Sequence, residues 1–455
     1  RGLSMRWVVL GFVTLCTAAP LSPPKDFFRH NELLEPAGHT IKAVVKSPLP
    51  QDYLLSDALP SEFNWCNISG VSYCTTDLNQ HIPKWCGSCW AHGSMSSVAD
   101  RLKRLQGGKA RDFIPAIQVL LNCGTDVAGS CNGGSISGAF QWVHENGIPE
   151  VTCQQYEAAD NACTAESTCR NCMPGQGCFA MKNGTYARLL IDEYGPVNGT
   201  DAIMKEISAR GPVSCGINAN PLESWNGTGI ISDNDQVAVN HAISLTGWGV
   251  AEDGTEYWLG RNSWGTYWGD NGWFRIKKGG AYNPQCSWAV PRLEASTVAA
   301  TPRLSTSRRP NEVVVMPGHV RKEVIVSPRP HVDPTTLPTN FSFCDRLDGG
   351  CTTDLNQHIP QYCGSCWAHG AMSSLADRWK AIAGAGGPDF IPAIQVILNC
   401  GTRVAGSCGG GSASGAYDYV YDNGIPSVTC AAYQADDLDC NALDVCRTCT
   451  PGSDG

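Results

Sequence analysis

Cys89 is the residue on which the chemistry of this sequence turns. It closes the run Cys86-Gly87-Ser88-Cys89-Trp90 and is followed by Ala91, Met95, Val98, Leu102 and Leu105. Those spacings of three and four predict an amphipathic helix, ended by Gly107-Gly108. A cysteine at the start of such a helix faces unpaired backbone N–H groups and the positive end of the helix dipole, which favour thiolate over thiol. Three readings compete for the C-x-x-C spacing: a redox pair, half of a zinc site, or a disulfide cysteine beside a free nucleophile. Parity bears on the choice. Between residues 59 and 293 stand thirteen cysteines, Cys66, Cys74, Cys86, Cys89, Cys123, Cys131, Cys153, Cys163, Cys169, Cys172, Cys178, Cys215 and Cys286, so six bridges leave one thiol free.

A thiol nucleophile needs a base. His241 opens His241-Ala242-Ile243-Ser244-Leu245, whose alternation predicts a strand, and Asp253-Gly254 turns the chain back through Glu256-Tyr257-Trp258-Leu259. That hairpin carries Asn262 to a position beside His241, where an amide oxygen could orient the imidazole. Taken alone, His241 reads as a half-buried strand histidine and Asn262 as a turn residue. Combined with Cys89 they read as a nucleophile, a base and the group that orients it.

The elements that carry these residues sit in a chain of 455 residues, enough for more than one domain. Charged residues are 16% of the total and the formal net charge is −9, so nothing favours nucleic-acid binding through bulk electrostatics. Twenty-four cysteines point to an oxidising compartment. Residues 1–19 hold an apolar run after Arg6, too short to span a membrane, and read as a signal peptide with extra residues upstream. Five Asn-x-Ser/Thr sites at Asn67, Asn183, Asn198, Asn226 and Asn340 agree with export.

Ten residues, Cys74 to Pro83, recur unchanged from Cys351 to Pro360, 277 residues later. The same offset relates Cys86, Cys89, Cys123, Cys131, Cys153, Cys163, Cys169 and Cys172 to Cys363, Cys366, Cys400, Cys408, Cys430, Cys440, Cys446 and Cys449. A period of that length means tandem domains rather than a solenoid. The expected organisation is a pro-segment over 20–58, a peptidase unit over 59–293, a Pro/Ser/Thr-rich linker with a second pro-segment-like stretch over 294–337, and a truncated second unit over 338–455. That second unit would lack any counterpart of His241 or Asn262.

The run from Cys86 to Trp90, with His241 about 150 residues on and Asn262-Ser263-Trp264-Gly265 beyond it, resembles the papain-like cysteine proteases. The likeness covers about 59–293 and the first half of that unit in the second copy. It implies an α+β fold of two lobes, a helical left lobe and a β-rich right lobe, with Cys89 and His241 facing each other across a cleft. It also implies Gln80 as an oxyanion donor, Trp264 as a shield over the His241–Asn262 pair, and no metal or other cofactor. Gln80 lies nine residues before Cys89, where the family places this glutamine six before. The three extra residues, His81-Ile82-Pro83, resemble the inserted loop of the branch that removes single residues from substrate C-termini. His81 would there meet the terminal carboxylate. The implied bridges are Cys86–Cys131, Cys123–Cys163, Cys153–Cys169, Cys172–Cys178 and Cys215–Cys286. Gln357, His358 and Cys366 would be inactive equivalents in the second copy. Expected partners are peptides and proteins with free C-termini and protein inhibitors of cysteine proteases, in a lysosomal or extracellular setting. The leader from Leu21 to Leu59 contains no cysteine, although the pro-segments of that branch cap the active thiol with one, so latency must rest on other contacts or be weaker. Two other functions stay open: a binding protein that captures peptides or inhibitors without turnover, and a general endopeptidase.

Overall fold

The computed structural model describes residues 32–35, 40, 42–108, 110–232, 239–279, 285–297, 311–320, 322–326, 332–347, 350–384 and 387–451. The signal-peptide stretch and 298–310 of the linker lie outside the described residues. From residue 32 onward these belong to a single unit. No helix among them is long and apolar enough to cross a membrane.

Helices α1 (Cys89–Leu105), α2 (Ile117–Cys123) and α3 (Ile136–Asn146) build one lobe. The other holds α4 (Thr200–Arg210) and an antiparallel sheet. Its long strands are β1 (Arg188–Val197), β2 (Val213–Ile217), β3 (His241–Val250), β4 (Glu256–Arg261), β5 (Trp273–Lys277) and β6 (Gln285–Glu294), ordered β5-β4-β3-β2-β6-β1 across the sheet. Trp90, Met95, Leu120 and Phe140 centre the helical core. Trp248, Trp258, Phe274 and Trp288 centre the β-rich one.

Helix α1 departs from the amphipathic expectation. Leu105 is 56% exposed, while Ser94, Ser97, Asp100, Arg101 and Lys103 on the polar side are buried. The helix runs between the two lobes and is covered on both faces, so its polar side chains must find partners inside. Arg101 donates to Glu206 at 2.7 Å and to the carbonyls of Pro212 and Ala289, and Lys103 pairs with Asp112 at 2.7 Å. Past Leu105 the chain reverses at Gly107 and Gly108, whose φ values of 72° and 69° suit glycine.

Helices α5 (Cys366–Ala383), α6 (Ile394–Cys400) and α7 (Ala413–Asn423) repeat α1–α3 around a core of their own, with Trp367, Met372 and Ile397 in it. In this second copy the pairs Cys344–Cys351, Cys363–Cys408, Cys400–Cys440 and Cys430–Cys446 form disulfides.

Candidate active site

Cys89 and His241 meet because α1 lies flush on β3. Gly93, one turn after Cys89, sets that approach: a Cβ there would come within 3.2 Å of the Ala242 and Ile243 backbone. The Ala242 N–H donates to the Cys89 sulfur at 3.3 Å, and the Cys89 and His241 side chains are fully buried. His241 is the first residue of β3, and its Nε2–H donates to Asn262 Oδ1 at 2.9 Å. Asn262 directly follows β4, whose last residue, Arg261, pairs with Asp100 of α1 at 2.8 Å, both buried. One ion pair thus ties the helix that carries Cys89 to the strand end that carries Asn262. The Trp264 ring sits 5.0 Å from the His241 ring and is 4% exposed, which keeps water from the His241–Asn262 bond.

Gln80 is held by Ser263, the residue after Asn262. Its Oε1 accepts from the Ser263 hydroxyl at 2.7 Å, and its backbone N–H donates to the Ser263 carbonyl at 2.8 Å. With the amide oxygen held there, Nε2–H donates to the Cys86 carbonyl and to Glu32 Oε2, both at 3.1 Å. Asp100 and Glu32 have no motif signal in the sequence, and Ser263 enters it only within the Asn262–Gly265 run.

Glu32 lies in the segment preceding the peptidase unit and occupies the cleft. The Leu34 N–H donates to the Gly134 carbonyl at 2.8 Å and the Gly134 N–H returns to the Glu32 carbonyl at 3.1 Å, a parallel bridge centred on Leu33. Gly133, at φ +116°, permits this approach, since a Cβ there would meet Leu34 at 2.9 Å and the Glu32 carbonyl at 3.1 Å. The Glu32 carboxylate then lies 3.6 Å from His241 Nδ1. Donor atoms of Glu32, Cys89 and His241 all fall within 4.8 Å of one another, so these three are also the residues that could chelate a metal. The sequence signal that could find Glu32 is the repeat, Asn31-Glu32-Leu33-Leu34 against Asn311-Glu312-Val313-Val314.

The second copy repeats the entrance but not the base. Gln357 Nε2 donates to Glu312 Oε2 and to the Cys363 carbonyl, both at 3.1 Å, and Glu312 is also held by the Tyr362 hydroxyl. The His358 ring stacks on Tyr362 at 4.9 Å. Cys366 starts α5, and its thiol is pushed up by burial and by the Glu312 carboxylate. No strand equivalent to β3 occurs among the described residues of this copy, so Cys366 meets no counterpart of His241 or Asn262.

His81 is 2% exposed, its ring 6.2 Å from that of Trp264. Its carbonyl accepts from the Cys449 N–H at 3.3 Å. Burial pushes the nearby His92 down to about 4 and Asp77 up to about 7. The first copy closes the bridges Cys86–Cys131, Cys123–Cys163, Cys153–Cys169, Cys172–Cys178 and Cys215–Cys286, together with Cys66–Cys74. Among the described residues Cys89, Cys366 and Cys449 form no disulfide. Ten disulfides among the described residues mark a protein of the secretory pathway.

A family model, "Papain family cysteine protease", matches residues 59–291 and 342–451. Cathepsin Z of Onchocerca volvulus is 42% identical over 246 residues, spanning 52% of this chain and 79% of that protein. The cysteine endopeptidase Rep1 of Oryza sativa subsp. japonica is 30% identical over 230 residues, 49% of this chain and 56% of that protein. Among solved structures, the digestive procathepsin L2 proteinase of the Tenebrio molitor larval midgut aligns at 25% identity and a TM-score of 0.44, over 57% of this chain and 77% of its own. The α+β, two-lobed fold agrees with this assignment, and the chain belongs to the papain family of cysteine proteases, as a cathepsin Z-like cysteine peptidase.

Proposed function

We propose that this protein is a cysteine carboxypeptidase whose described form is latent, with 59–293 as the peptidase unit, 20–58 as its pro-segment and 338–455 as a second, incomplete unit. The observation that carries the reading is the peptide segment 32–34, already paired with Gly134 and presenting a carboxylate to Gln80 and His241. When that segment leaves, a substrate takes its path. The Cys89 thiolate, paired with protonated His241, attacks the last peptide carbonyl, and Gln80 Nε2–H with the Cys89 backbone N–H stabilise the oxyanion, worth about 3 kcal/mol per donor. His241 protonates the leaving amine and then draws a proton from water to release the acyl group, while Asn262 holds the ring. Trp264 shields that bond. His81, on the loop beside Trp264, meets the terminal carboxylate of the substrate as an imidazolium and confines the enzyme to single-residue release. Working compartments consistent with this chemistry are the lysosome and the extracellular space.

The test is the activated full chain, offered a peptide with a free C-terminus and its amidated twin. Release of one residue from the free acid alone, lost or broadened in His81→Ala, supports the reading. Equal cleavage of both leaves a papain-family endopeptidase. A correctly folded protein that binds peptide without turnover points to capture instead.

A further inference from the structure

The two copies meet face to face, and three of the contacts between them have counterparts 277 residues away. The Thr76 hydroxyl donates to the Asp389 carbonyl at 2.9 Å, and the Thr353 hydroxyl to the Asp112 carbonyl at 3.1 Å. Asn79 Nδ2–H donates to the Thr429 carbonyl at 2.8 Å, and Asn356 Nδ2–H to the Thr152 carbonyl at 3.0 Å. The Cys449 sulfur lies 3.4 Å from the Pro83 carbonyl oxygen, and the Cys172 sulfur 3.5 Å from that of Pro360. Exchanging the copies maps each contact of a pair onto the other, which is the signature of an isologous, two-fold interface. Beside the contact the pairs Lys103–Asp112 and Lys380–Asp389 repeat the same symmetry, at 2.7 and 3.0 Å and buried. A cavity of about 120 Å³ lies between Leu78, Ile114 and His92 of one copy and Leu355, Ile391 and His369 of the other. Thr76, Asn79 and Pro83 all belong to the ten residues that are unchanged between the copies. The unchanged stretch supplies one side of each of these paired contacts.

We infer that this face is a self-complementary docking surface, that its partner is another peptidase unit carrying the same ten residues, and that the second copy fills it within the chain and closes the His81 side of the first copy's cleft. The closure follows from three contacts beside Trp264: the Cys449 N–H on the His81 carbonyl, the Thr266 N–H on Thr429 Oγ1 at 3.0 Å, and the Tyr267 hydroxyl on the Arg447 carbonyl at 3.3 Å. A substrate whose terminal carboxylate must reach His81 competes with them, and its apparent affinity falls with the fraction of open molecules. The docking stands without the carboxypeptidase reading; the effect on turnover rests on it.

The experiment uses the full chain with a recognition sequence for a specific protease inserted within 298–310, activated so that the segment around Glu32 no longer fills the first copy's cleft. After the cut, the two pieces are expected to stay together by light scattering, and their separation would overturn the docking. Combining Thr353→Lys with Asn356→Lys, both outside the Cys89 machinery, should part the cut pieces, while titration of Cys89 with a thiol-directed epoxide reports whether the first copy stays folded. The freed first copy should then pair with itself at high concentration; a strict monomer would overturn the self-complementarity. Release of C-terminal residues should rise roughly tenfold or more on separation, as expected when a closed state dominates. An unchanged rate would overturn the closure. No turnover in any form, with the pieces still associated before the substitutions, would sink the carboxypeptidase reading and leave the docking intact.

Discussion

Glu32 and Ser263 show what single side chains decide here. The carboxylate of Glu32 accepts from Gln80 and faces His241, so removing it withdraws a group already desolvated and matched to the site. Glu32→Ala in the full chain should raise the rate of Cys89 alkylation by a thiol-directed reagent roughly tenfold or more, the scale of one lost charge-assisted hydrogen bond. A rate equal to that of the parent would show that the latch lies elsewhere. Ser263 acts through Gln80. With its hydroxyl gone, the amide is free to turn its oxygen toward the cleft, so Ser263→Ala in the activated enzyme should lower kcat more than it changes KM. The expected loss is about tenfold to a hundredfold, below that of deleting an oxyanion donor outright. Cys89, His241, Asn262 and Gln80 were legible in the sequence because their types and spacing are chemically unusual together. Glu32 and Ser263 were not, since a glutamate in a leader and a serine in a loop are common, and only contacts distinguish them.

At the scale of elements, the approach of α1 to β3 is set by one glycine, and its repeat supplies the control. A Cβ at Gly93 would press on the Ala242–Ile243 backbone at 3.2 Å, whereas one at Gly370 of α5 would meet nothing within 4 Å. Alanine is the better helix former by roughly 1 kcal/mol. Gly370→Ala should therefore stabilise the second copy by about 0.5–1 kcal/mol in urea unfolding. Gly93→Ala should forfeit that gain and lower kcat by widening the Cys89–His241 gap; equal stabilisation at both sites would contradict the close approach. The helix itself was readable from its spacing. That its polar side is buried was not, because Asp100, Arg101 and Lys103 look like a solvated face until Arg261 and Glu206 arrive from distant parts of the chain and Asp112 folds back from the following loop.

For the whole molecule, two buried groups pull stability in opposite directions as pH changes. Asp77, beside Arg261, Asp100 and Trp273, has its carboxyl raised to about 7, above the unfolded 3.8. The unfolded chain releases that proton first, so stability falls as pH rises from about 4 to about 7. His92, near Glu32 and His241, is lowered to about 4, below the unfolded 6.5, so stability falls as pH drops from 6.5 toward 4. Each shift is worth on the order of a few kcal/mol at about 1.4 kcal/mol per unit. The two slopes oppose each other between about pH 4 and 6.5, so Asp77→Asn should leave a urea midpoint that rises with pH across that window and His92→Gln one that falls; profiles unchanged from the parent would place the cause in other groups. The sequence by itself singled out Cys89 and His241 as the candidate nucleophile and base and determined the cysteine parity and the repeat, because each is a local or countable property. Tertiary structure alone decided that a leader carboxylate fills the cleft and that the two copies share a two-fold face. Both join residues more than forty positions apart, and only the folded chain, by bringing those positions into contact, makes their chemistry visible.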